Sequence, residues 1–253
     1  MKDDLGIRMK DQYENRTRYF LPRRTYTIIR LDGKAFHTFT RGMKRPFDQD
    51  FINIMDSTAK FLCEEIQGCQ MAYVQSDEIS LLLTDFDKIT TDAWFDGNIQ
   101  KMVSVSASIA TAKFNALFNY DKDPSQMKMA NFDARVFTIP DPVEVENYFV
   151  WRQKDAVRNS IAMTAQSLYS HKQLEGVTQV GMQDLIVKKG QNWNDQPDGF
   201  KRGRTIYQKK TNTMSADSFD QTVYTSKEWV IITPDFLKER EVFKEIIPRI
   251  IYV

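Results

Sequence analysis

Histidine and cysteine are scarce, with two of each in 253 residues. His37 and His171 are too few for a three-histidine zinc site, and mechanisms that use several imidazoles fall with it. Cys63 and Cys69 lack a zinc-like spacing and cannot build a disulfide scaffold in a chain of this length. No apolar run of about eighteen residues occurs, which excludes a transmembrane helix. The charged opening MKDDLGIRMKDQYENR lacks the apolar stretch of a secretory signal. A soluble protein of a reducing compartment, the cytoplasm, with no membrane partner, is expected. A Gly-x-Ser-x-Gly elbow, a Walker loop and a Gly-x-Gly-x-x-Gly turn are also missing, which removes several common enzyme classes. Neither sign of charge dominates: 35 Lys and Arg against 34 Asp and Glu leave a formal net charge of +1. Nothing global draws such a chain to nucleic acid, although a local basic patch stays open. Chemistry therefore falls to carboxylates.

What is present is enough for a packed core: 42% hydrophobic and 12% aromatic residues. Patterning predicts an N-terminal helix before Pro22 and a strand over TYTIIRLD (25–32). A helix starts at an Asp48 N-cap, with Phe51, Met55, Ala59, Leu62 and Ile66 at spacings of three and four. Residues 70–84 read as two strands around the polar Gln75-Ser76-Asp77-Glu78, followed by a helix over about 97–119 and a strand over 132–139. Beyond lie a long helix over about 143–170, a loop over 190–200, a strand-like 224–233 and a final helix up to Pro248. The order β-α-β-β-α-β predicts an α+β fold: a ferredoxin-like, polymerase-palm-like core with a helical and irregular C-terminal extension. Residues 1–140 would form the palm-like catalytic core with its N-terminal helix, and residues 141–253 the extension packed on it as one compact unit.

In that topology the end of the first strand and the turn between the second and third lie at one end of the sheet. Asp32 closes the first; Asp77 and Glu78 occupy the second. Taken singly, Asp-Gly and Ser-Asp are ordinary turn residues. Converging, they repel unless cations neutralise them, which points to bound magnesium with water and phosphate filling its other positions. Gly33 leaves a backbone carbonyl open to such an ion. Two ions would suit phosphoryl transfer, with Asp32, Asp77 and Glu78 as the candidate catalytic residues.

Lys34, His37 and Arg45 follow the first strand and are candidates for holding a triphosphate; solvated loop charge is the plain alternative. Arg152, Asp155 and Asn159 share one face of the long helix, lining either a pocket or ordinary solvent. Lys188, Lys189, Lys201, Arg202, Arg204, Lys209 and Lys210, with Trp193 and Phe200 nearby, could grip an RNA backbone and stack a base.

The blocks RLDGKAFHTF (30–39), RPFDQDF (45–51), YVQSDEIS (73–80), FDARVF (132–137), YFVWRQKDAVRN (148–159) and NWNDQPDGFKRG (192–203) resemble, in order, those of tRNA-His guanylyltransferases. The resemblance implies a palm-like core, two magnesium ions, ATP and GTP or other NTPs as substrates, tRNA as partner, a homotetramer, and RNA extension in the 3′-to-5′ direction. Residue by residue, it makes Asp32, Asp77 and the Gly33 carbonyl metal ligands, with Glu78 in support. Lys34, His37 and the loop amides of Ala35 and Phe36 would contact nucleotide, joined by Arg45, Asp48, Ser76 and Arg135. Asn192 and Asn194 match the family's asparagine pair, and no lysine from the stretch after Gly176 is carried over; Arg152, Asp155, Asn159, Lys188, Lys189, Lys201 and Arg202 complete the candidate RNA contacts on the residues' own chemistry.

One departure bears on function. Where eukaryotic members carry His-x-Asn-Asn, this chain reads Val157-Arg158-Asn159-Ser160. That is similar to the guanylyltransferase-like branch, which repairs 5′-truncated tRNAs by template-directed addition after ATP-dependent adenylylation of the 5′-monophosphate. The alternative is a dedicated enzyme adding one guanosine to tRNA-His. A palm-type nucleotide cyclase needs the same aspartates, but its Gly-Gly-Asp/Glu-Glu-Phe turn is missing. An RNA-recognition module shares the element order yet stacks bases on aromatic residues, and Ile79-Ser80-Leu81-Leu82-Leu83 has none.

Overall fold

The computed structural model describes residues 3–214 and 223–250. A short helix α1 (Asp4–Gln12) leads to β1 (Tyr26–Gly33), a single turn α2 (Phe36–Phe39) and helix α3 (Gln49–Glu65). Strands β2 (Cys69–Gln75) and β3 (Glu78–Leu83) form a hairpin, followed by α4 (Ile99–Phe118) and β4 (Phe132–Ile139). The long α5 (Pro142–Leu168) precedes the short helices α6 (His171–Leu174), α7 (Gln179–Lys188) and α8 (Asp198–Arg202). Strands β5 (Arg204–Met214) and β6 (Val223–Ile232) and helix α9 (Val242–Ile246) complete the described chain. Among the described residues no helix is long and apolar enough to cross a membrane.

Local chemistry sets the boundaries. The Asp48 carboxylate accepts from the Asp50 and Phe51 amides, both at 3.1 Å, and so starts α3. Asp141 caps α5 in the same way, with Pro142 at the first helical position. The chain leaves α3 for β2 through Gly68, at φ +79°, where a Cβ would sit 2.4 Å from the Thr84 carbonyl oxygen. The β2–β3 turn is two residues, Ser76-Asp77, with Ser76 at φ +47°.

The six strands form one antiparallel sheet in the order β4-β1-β3-β2-β5-β6, giving a mixed α/β architecture. Strand alternation sends Leu31, Val74, Ile79 and Leu81 to one face, where α3 and α4 cover them with Met55, Leu62 and Phe114. Ile28, Tyr73 and Leu82 point to the other face, under Phe149 of α5 and the C-terminal Phe236 and Phe243. The far half of α5 collects a third cluster, with Ile161, Leu174, Ile186 and Trp193. Both faces of the central hairpin are therefore covered: residues 71–75 of β2 and all of β3 are buried.

The segment after Gly203 carries the expected strand over 224–233 as β6, and departs from the expected helical and irregular extension in β5. It adds β5 and β6 to the sheet, with Val74 opposite Arg204 and Met71 opposite Tyr207. The polar run QKKTNT hides this, because the residues past Tyr207 extend beyond β2 and pair with β6 alone. The 190–200 stretch, expected as loop, holds a 3₁₀ turn at Trp193–Asp195 and enters α8.

Candidate active site

Register builds the acidic edge. Asp32, next to last in β1, lies directly opposite Glu78 of β3 on one side and Asp133 of β4 on the other. Asp77 precedes Glu78 in the tight turn, so carboxylates 45 positions apart in the chain meet at one end of the sheet. Withdrawal from water pushes the half-buried Asp77 carboxyl up to about 6, and the charges of Asp32 and Glu78 push the same way against a hydrogen bond from Ser76.

Glu78 has a different fate. Arg152 of α5 reaches across and donates from Nε at 2.8 Å and from a terminal nitrogen at 2.6 Å, a bidentate pair buried on both sides. Burial raises the Glu78 acid and Arg152 opposes that rise. The same guanidinium donates to Asp155 at 3.0 Å and lies over the Trp151 ring, and Asp155 also accepts from Arg158. Ser80 and Tyr148, hydroxyls 2.9 Å apart, close this polar layer.

No group of three or more His, Cys, Asp or Glu side chains suited to a metal ion is found among the described residues. Glu78 is held by Arg152, and the carboxylates left for a cation are Asp32 and Asp77. Two oxygen-donor carboxylates suit magnesium, which keeps several waters and completes its shell with substrate phosphates. Asp77 meets the test of fit: its charge faces like charges, and it has no ion-pair partner among the described residues. Gly33 has a second reason to be glycine, because a Cβ there would lie 2.3 Å from the Phe36 ring, which plugs the core beneath the site.

A cavity of about 380 Å3 opens beside Asp77, between the start of α3, the 40–48 loop and one stripe of α5. That volume is in the range of small-molecule sites. Of the expected nucleotide contacts, His37, Arg45, Asp48 and Ser76 border it, while the Phe36 ring forms its base. Asp48 has both oxygens engaged, one on the α3 amides and the other on the Lys44 amide at 3.1 Å. Lys34, Ala35 and Arg135 do not line the cavity; Ala35 holds the turn into α2 at φ +56°. Arg135 sits over β4, 4.0 Å from Asp32 and 3.9 Å from Asp133.

The residues expected to hold RNA divide sharply. Asn159 lines the cavity, and Lys188, Lys189, Asn192 and Asn194 are exposed, away from it. Two face inward instead. Arg152 belongs to the buried Glu78 pair, and Lys201 is 6% exposed, its Nζ donating to the Asn194 carbonyl at 2.7 Å. Both are engaged inside the protein. Arg202 pairs with Asp198 and Asp235. Sequence reading passes over Lys44, Phe47, Met163 and Gln166, which also border the cavity. The last two carried a signal, since they continue the Ala156-Asn159-Ser160 stripe at helical spacing. Phe47 packs against Phe200 at 4.8 Å, closing one wall with two rings.

A family model for tRNAHis guanylyltransferase matches residues 7–140. The tRNA(His) guanylyltransferase of Debaryomyces hansenii is 28% identical over 228 residues, 83% of each chain. That of Schizosaccharomyces pombe is 28% identical over 207 residues, 76% of each. Among solved structures, a bacterial tRNA(His) guanylyltransferase-like protein in complex with ATP aligns with a TM-score of 0.83 and 43% identity, covering 96% of this chain and 100% of that one. One in complex with GTP aligns at 0.78 and 40%, covering 96% and 99%.

Proposed function

The chain belongs to the tRNAHis guanylyltransferase family of nucleotidyltransferases, and from that membership we propose that it adds nucleotides to the 5′ end of tRNA in the 3′-to-5′ direction, as a template-directed repair enzyme of the cytoplasm. The carrying observation is the uncompensated Asp77 beside Asp32, at the end of a cavity large enough for a nucleotide. Residues 1–140 act as the palm and residues 141–253 as its packed extension.

Asp32, Asp77 and the Gly33 carbonyl would hold magnesium, and two such ions when bound lower the pKa of an attacking hydroxyl and offset phosphate charge. In the first step a 5′-monophosphate oxygen of the RNA bonds to the α-phosphorus of ATP, and pyrophosphate leaves. In the second, the 3′-hydroxyl of GTP or another NTP attacks the activated 5′-phosphorus, loses its proton and expels AMP. His37, Lys44 and Arg45 bring positive charge and hydrogen-bond donors to the cavity for the phosphates. Ser76 and the α5 stripe position the nucleotide, and the Phe47–Phe200 wall excludes water from one side. The exposed Lys188, Lys189, Asn192 and Asn194 extend the surface offered to tRNA. Template direction is supported by Val157 and Ser160 in place of the histidine and asparagine of eukaryotic members. A homotetramer is supported by α1, which buries none of its residues and exposes Leu5, Ile7 and Met9.

The test is a gel assay with magnesium, ATP and all four NTPs. A monophosphorylated tRNA lacking its first nucleotide is compared with full-length tRNA-His. Extension that follows the opposing 3′-strand base supports templated repair. Guanosine added to tRNA-His alone makes the protein a dedicated guanylyltransferase. Cyclic product from GTP or ATP alone would overturn both.

A further inference from the structure

We infer that Gln75 reads the 6-substituent of a purine in the nucleotide cavity, and that its unanchored amide lets one site take both adenine and guanine. The inference rests on the nucleotidyl transfer proposed above and deepens it, giving the cavity a preference for purine over pyrimidine nucleoside triphosphates.

Gln75 ends β2, borders the cavity beside Ser76 and Asp77, and is 5% exposed. Its Oε1 is buried with no hydrogen-bond partner among the described residues, and its amide nitrogen makes no hydrogen bond among them either. A buried amide left unpaired destabilises the fold. The other deeply buried glutamine on this face shows what a structural role looks like. Gln153 donates to the Pro234 carbonyl at 2.8 Å and accepts from the Phe236 amide at 2.7 Å. Arg204 has a spare group of its own. It also borders the cavity, and its Nε donates to Asp56 at 2.8 Å and one terminal nitrogen to the Gly199 carbonyl at 3.3 Å. Its other terminal nitrogen is buried without a partner among the described residues. Arg204 stands opposite Val74, the residue before Gln75, so both unused groups come from neighbouring strand ends.

The chemistry of this corner selects its ligand. Gln75 is uncharged and Arg204 is offset by Asp56, so a phosphate would enter uncompensated, whereas the edge of a neutral base would not. Adenine and guanine share the N7 acceptor and differ at position 6, where adenine carries an amino donor and guanine a carbonyl acceptor. The guanidinium, fixed by Asp56, supplies a donor for N7. The amide turns over about its last torsion. With oxygen inward it accepts from the adenine amino group; with nitrogen inward it donates to the guanine carbonyl. Phe47, Met163 and Phe200 supply apolar walls for a flat ring. The cavity then takes the purine triphosphate that activates the RNA, and base choice during extension is left to the template.

The test uses the full chain with magnesium and an ATP analogue labelled on its ribose. Unlabelled ATP, GTP, CTP and purine riboside triphosphate, which has no group at position 6, displace the label. Wild type should bind ATP and GTP about ten- to hundredfold more tightly than the other two, the range expected when a buried polar group is left unpaired. Gln75→Met keeps the length and loses both polar atoms. In it, ATP and GTP should fall to the level of purine riboside triphosphate, whose own affinity stays unchanged. Wild type with no preference for ATP over purine riboside triphosphate would overturn the inference, whatever the variant does. An equal loss for all four ligands in Gln75→Met, or an unchanged ratio of ATP to purine riboside triphosphate, would also overturn it. Each of these leaves the nucleotidyl transfer in place. Wild type binding none of the four would overturn both.

Discussion

Replacing Asp77 with asparagine should make the metal-free protein more stable, because the native fold holds this carboxylate where it is uncomfortable as an ion. Burial, with Asp32 and Glu78 adding to it, raises the acid from 3.8 to about 6. At pH 8 both native and unfolded chains are ionised at this position, and the native state bears the full penalty. A shift of this size corresponds to at most about 3 kcal/mol, less whatever water at the half-open turn screens. As pH falls below about 6 the native carboxyl takes up its proton and the penalty shrinks; at pH 5 about half remains, and below the unfolded-state value it vanishes. Asparagine is nearly isosteric, carries no charge and keeps an acceptor for Ser76. Asp77→Asn should therefore melt roughly 3–12 °C above wild type at pH 8 without metal, from about 1.5–3 kcal/mol in a protein of this size. Its advantage should be about half as large at pH 5. Added magnesium should raise the wild-type melting temperature and move the variant much less, narrowing the gap, while nucleotide addition is lost in the variant. The assay is differential scanning calorimetry at both pH values, with and without magnesium. An advantage equal at pH 5 and pH 8, or a variant less stable than wild type at pH 8, would refute the electrostatic account.

Arg152→Gln should destabilise the protein by about 3–5 kcal/mol in denaturant titration, since it strands Glu78 as a buried unpaired carboxylate. Arg204→Met should cost about as much by stranding Asp56, whose acid is already raised by burial and restrained by Arg204 at 2.8 Å. Adding Asp56→Leu should recover most of that loss, and a double variant no better than the single would count against an ion-pair origin. Asp48→Ala removes the acceptor for the first amides of α3 and should cost about 1 kcal/mol, read from the urea midpoint. An unchanged midpoint would mean that the 44–48 turn holds without its cap.

The parts of this protein that were legible in its sequence are those set by neighbours. The TYTIIRLD run specifies β1, the Asp48 cap and the apolar spacing after it specify α3, and Gln75-Ser76-Asp77-Glu78 specifies the hairpin that brings the acids to Asp32. The parts that were not legible depend on partners far along the chain. Lys201 and Arg202 look alike in the basic run KRGR, yet Lys201 is sealed under Trp193 and Arg202 faces Asp235. Arg204, two residues on, is buried against Asp56, 148 positions away. Strand β5 was hidden for the same reason: its start is a strand only because β2 is there to pair with it.

The motif Ser-Asp-Glu carries the sharpest form of that argument. Asp77 and Glu78 are adjacent, acidic and at the same sheet edge, and residue type alone assigns both to one cluster. Their environments separate them because Asp77 sits in the turn, where it faces the cavity, and Glu78 begins β3 with its side chain on the α5 face. Arg152 waits on that face, 74 positions away, and neutralises Glu78 before any substrate arrives. Among the described residues the edge is thus left with Asp77 lacking an ion-pair partner and with Asp32 held only by long contacts, 3.9 Å to Arg30 and 4.0 Å to Arg135. A site built this way fixes the charge of its supporting glutamate internally. Asp77, its neighbour in the sequence, is left for a cation to neutralise.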